Sequence, residues 1–292
     1  MSFAIFDEGF YLASYPDVKA AVDARRIGSG LQHFQQYGLT EGRTRVSPFY
    51  NEQLYLQKYP DVASAVRSGG FKSALQHYIQ YGEIEGRSPG TFNELVYRQA
   101  NPDVAAAIAA GAFSSGLQHF IRYGQFESNR FGIFTGTTGN DTITGFGART
   151  DIAGIGFGNP VPSSIPGTIP GTVSNYVDRN LGSGEVDTLI GGPGRDVFYL
   201  GNSSNFASTG SFFNSYYVGN GNADYAIIRN FSRGNDAIVL GGSSLSSYNF
   251  QPVNGNLNIS TSAGDLIGIV EGVTSLSLLL DADPNPNRIF IR

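Results

Sequence analysis

The sequence predicts an α+β multidomain chain, with an all-α N-terminal domain of three repeats over residues 1–131 and an all-β C-terminal domain over 132–292. Three observations carry that reading. A unit of about 40 residues recurs three times with its Pro-Asp-Val core at Pro16, Pro60 and Pro102; the composition changes after Phe131 to Gly, Asn, Ser and Thr among β-branched residues; and Gly and Asp then recur at nine-residue spacing.

The three copies span residues 6–43, 50–87 and 92–130, and the third ends in ESNR where the others end in EGR. Each has the punctuation of three short helices. Asp7, Asn51 and Asn93 are N-cap candidates for the first helix, and Pro16, Pro60 and Pro102 suit the first turn of the second, where the missing N–H costs nothing. Ser29, Ser73 and Ser115 stand three residues before Gln32, Gln76 and Gln118, a capping box opening the third helix. Gly38, Gly82 and Gly124 are expected to stop it, and Leu31, Phe34 and Tyr37 mark an apolar stripe at helical spacing. One unit is too small to bury its own stripe, so the copies must stack.

All three histidines, His33, His77 and His119, fall at one position of the unit. Stacked copies hold equivalent side chains about 10 Å apart, too far to share a metal, so each histidine is expected to pack beside the tyrosine four residues on. The aspartates of Pro-Asp-Val read as helix-terminus charges. Over residues 6–130 the units resemble helical repeats common in cyanobacterial surface and calcium-binding proteins, which implies a binding or assembly module.

In the second half, residues 136–144 read GTTGNDTIT, 182–190 read GSGEVDTLI and 191–199 read GGPGRDVFY. The last matches Gly-Gly-x-Gly-x-Asp-x-apolar-x at every fixed position. Six residues of such a unit make a tight turn whose glycines bring carbonyls inward beside the aspartate, and three more make a short strand with its apolar side chain inward. Alternate turns stack on alternate edges of a flattened parallel β-roll and share a hard cation through oxygen ligands. The fit is to Ca2+, because Mg2+ demands a stricter octahedron and Zn2+ would want the His or Cys ligands that are missing. The candidate ligand-turn residues are Gly136, Gly139, Asp141, Gly182, Asp187, Gly191, Gly192, Gly194 and Asp196, with Asp151 a weaker one because in GFGARTDIA it stands one place late. Residues 154–181, rich in Pro, Gly and Ser, read as a loop inserted into the roll, which is therefore short and interrupted. Asp141 should then stack on Asp187 along one edge as a good site, and the turn of Asp151 should face Asp196 along the other as a poor one.

Over roughly 132–200 these repeats resemble repeats-in-toxin (RTX), or hemolysin-type, calcium-binding secreted proteins, and Asp224–Leu240 looks like the strand pair that follows such rolls. The resemblance implies type I secretion without a cleaved N-terminal signal peptide and an extracellular or cell-surface location. Residues 245–292 alternate polar and apolar and read as further strands.

Charge narrows the partners. Residues 1–131 carry 12 Lys/Arg against 12 Asp/Glu and residues 132–292 carry 7 against 12, so the whole net charge of −5 lies in the second half. Neither half has the basic excess that nucleic acid requires, and no apolar stretch approaches the ~20 residues of a membrane span. Cysteine is absent, which removes disulfides and thiol nucleophiles. No nucleophile elbow, HExxH helix or P-loop occurs, and GIGFG at 154–158 lacks the strand and helix of a dinucleotide loop, so no enzyme is expected. The expectation is a secreted calcium-binding structural protein that self-assembles head to tail as a surface-layer, matrix or filament subunit. The alternative is a calcium-dependent adhesin or polysaccharide-binding module using Phe212, Phe213, Tyr216 and Tyr217 as a stacking surface.

Overall fold

Nine short α-helices precede the strands among the residues that the computed structural model describes, 1–156, 181–206, 210–242, 244–277 and 288–292. The side chains of 202–206, 210–214, 288 and 290 are outside that description, as are most of the expected insertion at 154–181 and the side chains of Phe212 and Phe213. The chain is of mixed α+β class and divides into two units, Met1–Tyr123 and Gly124–Arg292.

In the first unit each copy forms three helices: α1 (Glu8–Ser14), α2 (Pro16–Asp23) and α3 (Gly30–His33); α4 (Glu52–Lys58), α5 (Pro60–Arg67) and α6 (Ala74–His77); α7 (Glu94–Ala100), α8 (Pro102–Ala109) and α9 (Gly116–Arg122). Asp7, Asn51 and Asn93 cap the first helices through their side-chain oxygens, and the prolines open the second ones. Ser29, Ser73 and Ser115 accept from the N–H of Gln32, Gln76 and Gln118. The glutamines do not close a reciprocal box: their Oε1 atoms accept from Gly28, Lys72 and Ser114, each one residue before the serine. The first glutamate of each copy takes two more orphan donors of the third helix. Glu8 accepts from Gly30 and Leu31, Glu52 from Ala74 and Leu75, and Glu94 from Gly116 and Leu117, at 2.6–3.1 Å.

The glycines expected to stop the third helix act through space instead of backbone freedom. A Cβ at Gly38 would meet Phe34 and the Tyr11 hydroxyl, and one at Gly82 would overlap the Tyr55 hydroxyl. The left-handed turns come four residues later, at Gly42 and Gly86, with φ of 71° and 72°. Gly124 opens a short 3-10 turn, Gly124–Phe126, in the second unit.

Each histidine is buried and shares its Nδ1 with a tyrosine hydroxyl, His33 with Tyr11 at 3.0 Å, His77 with Tyr55 at 3.1 Å and His119 with Tyr97 at 3.0 Å. Their rings also lie 5.7–6.0 Å from Tyr37, Tyr81 and Tyr123. Those tyrosines are half exposed, so Tyr37 is not part of the buried stripe, which Tyr11, Val18 and Phe34 and their counterparts supply. Burying such a side chain is worth about 1.5–3 kcal/mol. Asp17 and Asp61 of Pro-Asp-Val pair with Arg43 and Arg87, whose guanidinium groups hold both carboxyls below the usual range. The segments flanking the copies bond to the second one: Ser2 N–H donates to the Ile79 carbonyl, and the Pro89 and Gly90 carbonyls accept from Asn51 N–H and Lys58 Nζ.

The second unit holds β1 (Gly132–Thr135), β2 (Thr142–Thr144), β3 (Arg149–Ala153), β4 (Val186–Ile190), β5 (Arg195–Tyr199), β6 (Gly201–Phe206) and β7 (Gly210–Ser215). It continues with β8 (Tyr225–Arg229), β9 (Ala237–Gly241), β10 (Tyr248–Val253), β11 (Asn256–Thr261), β12 (Leu266–Val270) and β13 (Arg288–Ile291). One sheet has the order β1-β3-β5-β9-β13 and the other β10-β11-β12-β8-β4-β2, while β6 and β7 form an antiparallel pair. From β1 to β5 successive strands alternate between the two sheets, and every pairing within β1-β3-β5-β9 and β2-β4-β8-β12 is parallel. The segment expected as a strand pair, Asp224–Leu240, does not pair with itself: β8 joins β4 in one sheet and β9 joins β5 in the other. A two-residue hairpin turn is absent from that segment, and the seven-residue turn Asn230–Asp236 reaches the opposite sheet instead. The last strands fold back as the hairpins β10-β11-β12, and β13 closes on β9 antiparallel.

The degenerate end of the third copy belongs to this unit. Gln125 C=O accepts from Ala148 N–H at 2.7 Å, and the Arg149 guanidinium lies 3.8 Å from the centre of the Phe131 ring.

Candidate functional site: two rows of turn carboxylates

An aspartate stands two residues before a fully buried apolar side chain in turn after turn. Asp141 precedes Ile143, Asp187 precedes Leu189, Asp196 precedes Phe198, Asp224 precedes Ala226, Asp236 precedes Ile238 and Asp265 precedes Ile267, and each of these apolar residues is 0% exposed. Burial of that residue anchors the strand and leaves the aspartate at the turn, facing the turn stacked on it. Two rows result, one leading into each sheet.

In the row leading into the six-stranded sheet, β2 and β4 pair as Thr142↔Thr188, so Asp141 stands opposite Asp187. Asp141 N–H donates to Asp187 Oδ1 at 2.8 Å, Gly139 N–H to Glu185 Oε1 at 2.7 Å, Gly184 N–H to Asp224 Oδ2 at 3.1 Å and Gly219 N–H to Asp265 Oδ2 at 2.8 Å. Asp141 closes its own turn by accepting from the Thr137 amide and hydroxyl. The second oxygen of Asp187 accepts from the Tyr217 hydroxyl at 2.7 Å. Burial raises the Asp187 pKa to about 6 against the relief from Tyr217. Gly139 and Gly182 take left-handed φ of 109° and 77°, and a Cβ at Gly136 would overlap the Gly154 carbonyl.

In the row leading into the five-stranded sheet, Thr150 stands opposite Asp196, and Asp151 falls one place on, opposite Val197. Asp151 instead accepts from the Tyr199 hydroxyl at 3.3 Å. Asp196 N–H donates to Asp236 Oδ1 at 3.0 Å, and Ser232 N–H to Asp236 Oδ2 at 2.7 Å. The Asp196 carboxylate is 0% exposed, and neither oxygen has a hydrogen-bond partner in good geometry. Its Oδ1 lies against Gly145 and its Oδ2 against Gly191, each 2.9 Å from where a Cβ would stand. A Cβ at Gly192 would meet the Gly145 carbonyl, and one at Gly194 would overlap those of Gly147 and Ala148, so main-chain oxygens face the 191–196 turn. Desolvation, then the charge of Asp236, push the Asp196 pKa up to about 7, with only weak relief from Thr150 and the Gly192 amide. Desolvation raises Asp236 as well.

Asp224, Asp236, Asp265 and Tyr217 join these rows through hydrogen bonds and were not identified by the nonapeptide pattern. The aspartates had a signal, the shorter core Asp-x-apolar, with a glycine two places before Asp236 as before Asp141 and Asp196. Tyr217 had none, because its partner lies 30 residues earlier. Tyr216 and Tyr217, expected on an exposed sugar-stacking surface, are fully buried: the Tyr217 ring lies against Gly182 and its hydroxyl is committed to Asp187.

Among the described residues no three His, Cys, Asp or Glu side chains converge closely enough to hold a metal by themselves. Any ion here would need main-chain carbonyls in its ligand set, and the turn at Asp196 brings carboxylate and carbonyl oxygens together. Such an all-oxygen set suits a hard cation. No helix among the described residues is long and apolar enough to cross a membrane. Compared with protein-family models, with curated proteins and with solved structures, the chain matches none.

Proposed function

We propose that this chain is a secreted, non-catalytic calcium-binding protein that folds outside the cell and assembles there as a surface-layer, matrix or filament subunit. The observation that carries the reading is the Asp196 carboxylate, buried with no hydrogen-bond partner in good geometry for either oxygen, between glycine turns that present carbonyls. A buried carboxylate without donors costs several kcal/mol if ionised, and a cation is the partner that removes the cost. Asp196, with carbonyls of the 145–148 turn, would hold the ion. Alternating strands paired in parallel, with an Asp-x-apolar turn at the crossings into β2, β4, β5 and β9 and threonine in its place at 145–150, support reading the second unit as a short calcium β-roll of the RTX kind.

Calcium would act as a folding ligand, adding RT ln(1 + [L]/Kd) of stability at millimolar levels outside the cell and little at the low levels inside. That difference suits export of a weakly folded chain. Assembly would use the edges of the sheets, which β1, β13, β2 and β10 supply among the described residues, together with the ends of the helical repeats. Two unlike surfaces favour a heterologous head-to-tail contact. A polysaccharide-binding adhesin is the second reading, favoured by Tyr37, Tyr81 and Tyr123, exposed by 51%, 53% and 51% at equivalent points of the three copies.

The test is a titration of the intact chain with CaCl2 and MgCl2, followed by circular dichroism and light scattering. A calcium-selective rise in melting temperature, with particles that grow with protein concentration, is expected. An unchanged melting temperature at millimolar calcium would sink the calcium reading, and a monomer at every concentration would sink the assembly reading.

A further inference from the structure

We infer that Tyr217 takes the place of a cation at Asp187, so that this one turn is closed by a hydroxyl while the turn of Asp196 is left to the metal. The inference deepens the calcium reading and rests on it for Asp196, but not for Tyr217 itself. It also inverts the ranking that the sequence spacing suggests, in which the Asp187 turn is the better site.

At Asp187 each carboxylate oxygen already has a hydrogen-bond donor. Oδ1 accepts from the Asp141 amide and Oδ2 from the Tyr217 hydroxyl, both within 2.8 Å, and the group is 0% exposed. A cation bound through Oδ2 would compete with the hydroxyl for that oxygen. Tyr217 is built in: it is 0% exposed, its N–H donates to Leu181 C=O at 2.6 Å, and its φ of 58° is a left-handed conformation that costs a bulky residue about 1 kcal/mol or more. Two glycines make room for it. A Cβ at Gly154 would overlap the Tyr217 hydroxyl and Asp187 Oδ2, and a Cβ at Gly182 would stand 2.6 Å from the ring. Strain at one residue and missing side chains at two others are thus arranged around a single O–H donor. Among the described residues no tyrosine hydroxyl is hydrogen-bonded to Asp196, whose two oxygens are the contrasting case in the same unit.

A phenol removed from this position would leave a buried carboxylate with a free oxygen facing a glycine turn, which is the arrangement at Asp196. Calcium titration of the full chain by isothermal calorimetry, with wild type, Tyr217→Phe, Asp187→Asn, Asp196→Asn and the Tyr217→Phe/Asp196→Asn pair, tests this. Tyr217→Phe should gain one calcium per chain, retained in the pair, and Asp187→Asn should leave wild-type binding within about twofold. A folded Tyr217→Phe chain that gains no calcium overturns the inference, as does an Asp187→Asn chain that loses one. If Tyr217→Phe does not fold, Asp187→Asn alone decides. A wild type that binds no calcium refutes the assignment of Asp196, and gain by Tyr217→Phe would still uphold the role of Tyr217.

Discussion

The main-chain N–H of Asp196 donates to Oδ1 of Asp236 at 3.0 Å, as that of Asp141 does to Oδ1 of Asp187 at 2.8 Å. Each aspartate thereby seats the turn stacked on it, and a row needs a new carboxylate for every turn added. Asp236 accepts from three donors, the amides of Asp196 and Ser232 and the Asn235 side chain, whereas Asp196 receives no main-chain donor in good geometry from the turn at 145–150, where threonine holds the matching place. Asp196→Asn should therefore abolish the calcium-dependent rise in melting temperature, and Asp151→Asn should reduce it little. Differential scanning calorimetry with 5–10 mM calcium, on the order of an extracellular excess, checks the pair, and equal effects would show that the register of Thr150 against Asp196 is not the controlling feature.

Without calcium, pH should act in the direction opposite to ordinary acid denaturation. The pKa of Asp196 is raised to about 7 and that of Asp187 to about 6, above the unfolded value near 3.8. A group with a raised folded pKa contributes stability that is complete below its unfolded pKa and lost as pH rises through its folded one. In chelator, the second unit should lose stability between about pH 4 and pH 7, by a few kcal/mol, and calcium should restore it at the upper end. A melting temperature in chelator that climbs steadily across that interval would contradict these shifts.

Calcium should protect one part of the chain and not the other. Hydrogen exchange on the intact protein is expected to slow in the turns 145–150, 191–196 and 231–236 and to stay unchanged through α1–α9, where Asp17 and Asp61 already pair with arginine. Protection spread evenly over both units would mean that the ion acts elsewhere.

The glutamates that cap the third helices should differ in worth by their burial. Glu94 is 1% exposed and takes two amides, and Glu8 takes two amides from an exposed position. Glu94→Ala should cost about 2–3 kcal/mol and Glu8→Ala about 1 kcal/mol, by urea unfolding, because removing a buried acceptor leaves its donors without water.

Gly82→Ala should destabilise the first unit by about 1–3 kcal/mol, since the new Cβ overlaps the Tyr55 hydroxyl that bonds His77. Gly69→Ala, at φ 81° with open space around it, should cost about 1 kcal/mol from backbone strain alone. A larger loss at Gly69 would show that the backbone conformation, not the tyrosine, selects glycine in these copies.

The sequence by itself determined the punctuation of this protein. Asp7, Asn51 and Asn93, the three prolines and the three serines act within a few residues of themselves, so their caps and helix starts were legible from spacing alone. The same holds for Asp141 opposite Asp187 and for Asp151 out of register, because nine-residue units stack turn on turn with a fixed count. Only the tertiary structure decided what depends on residues distant along the chain. It made glycine necessary at Gly38 and Gly82 because tyrosines 27 residues earlier in each copy press there, sent β8 and β9 to opposite sheets, and buried Tyr217 against Asp187. Spacing records which residue turns the chain. Which oxygen is left without a donor depends on the side chains that the folded turns bring against it.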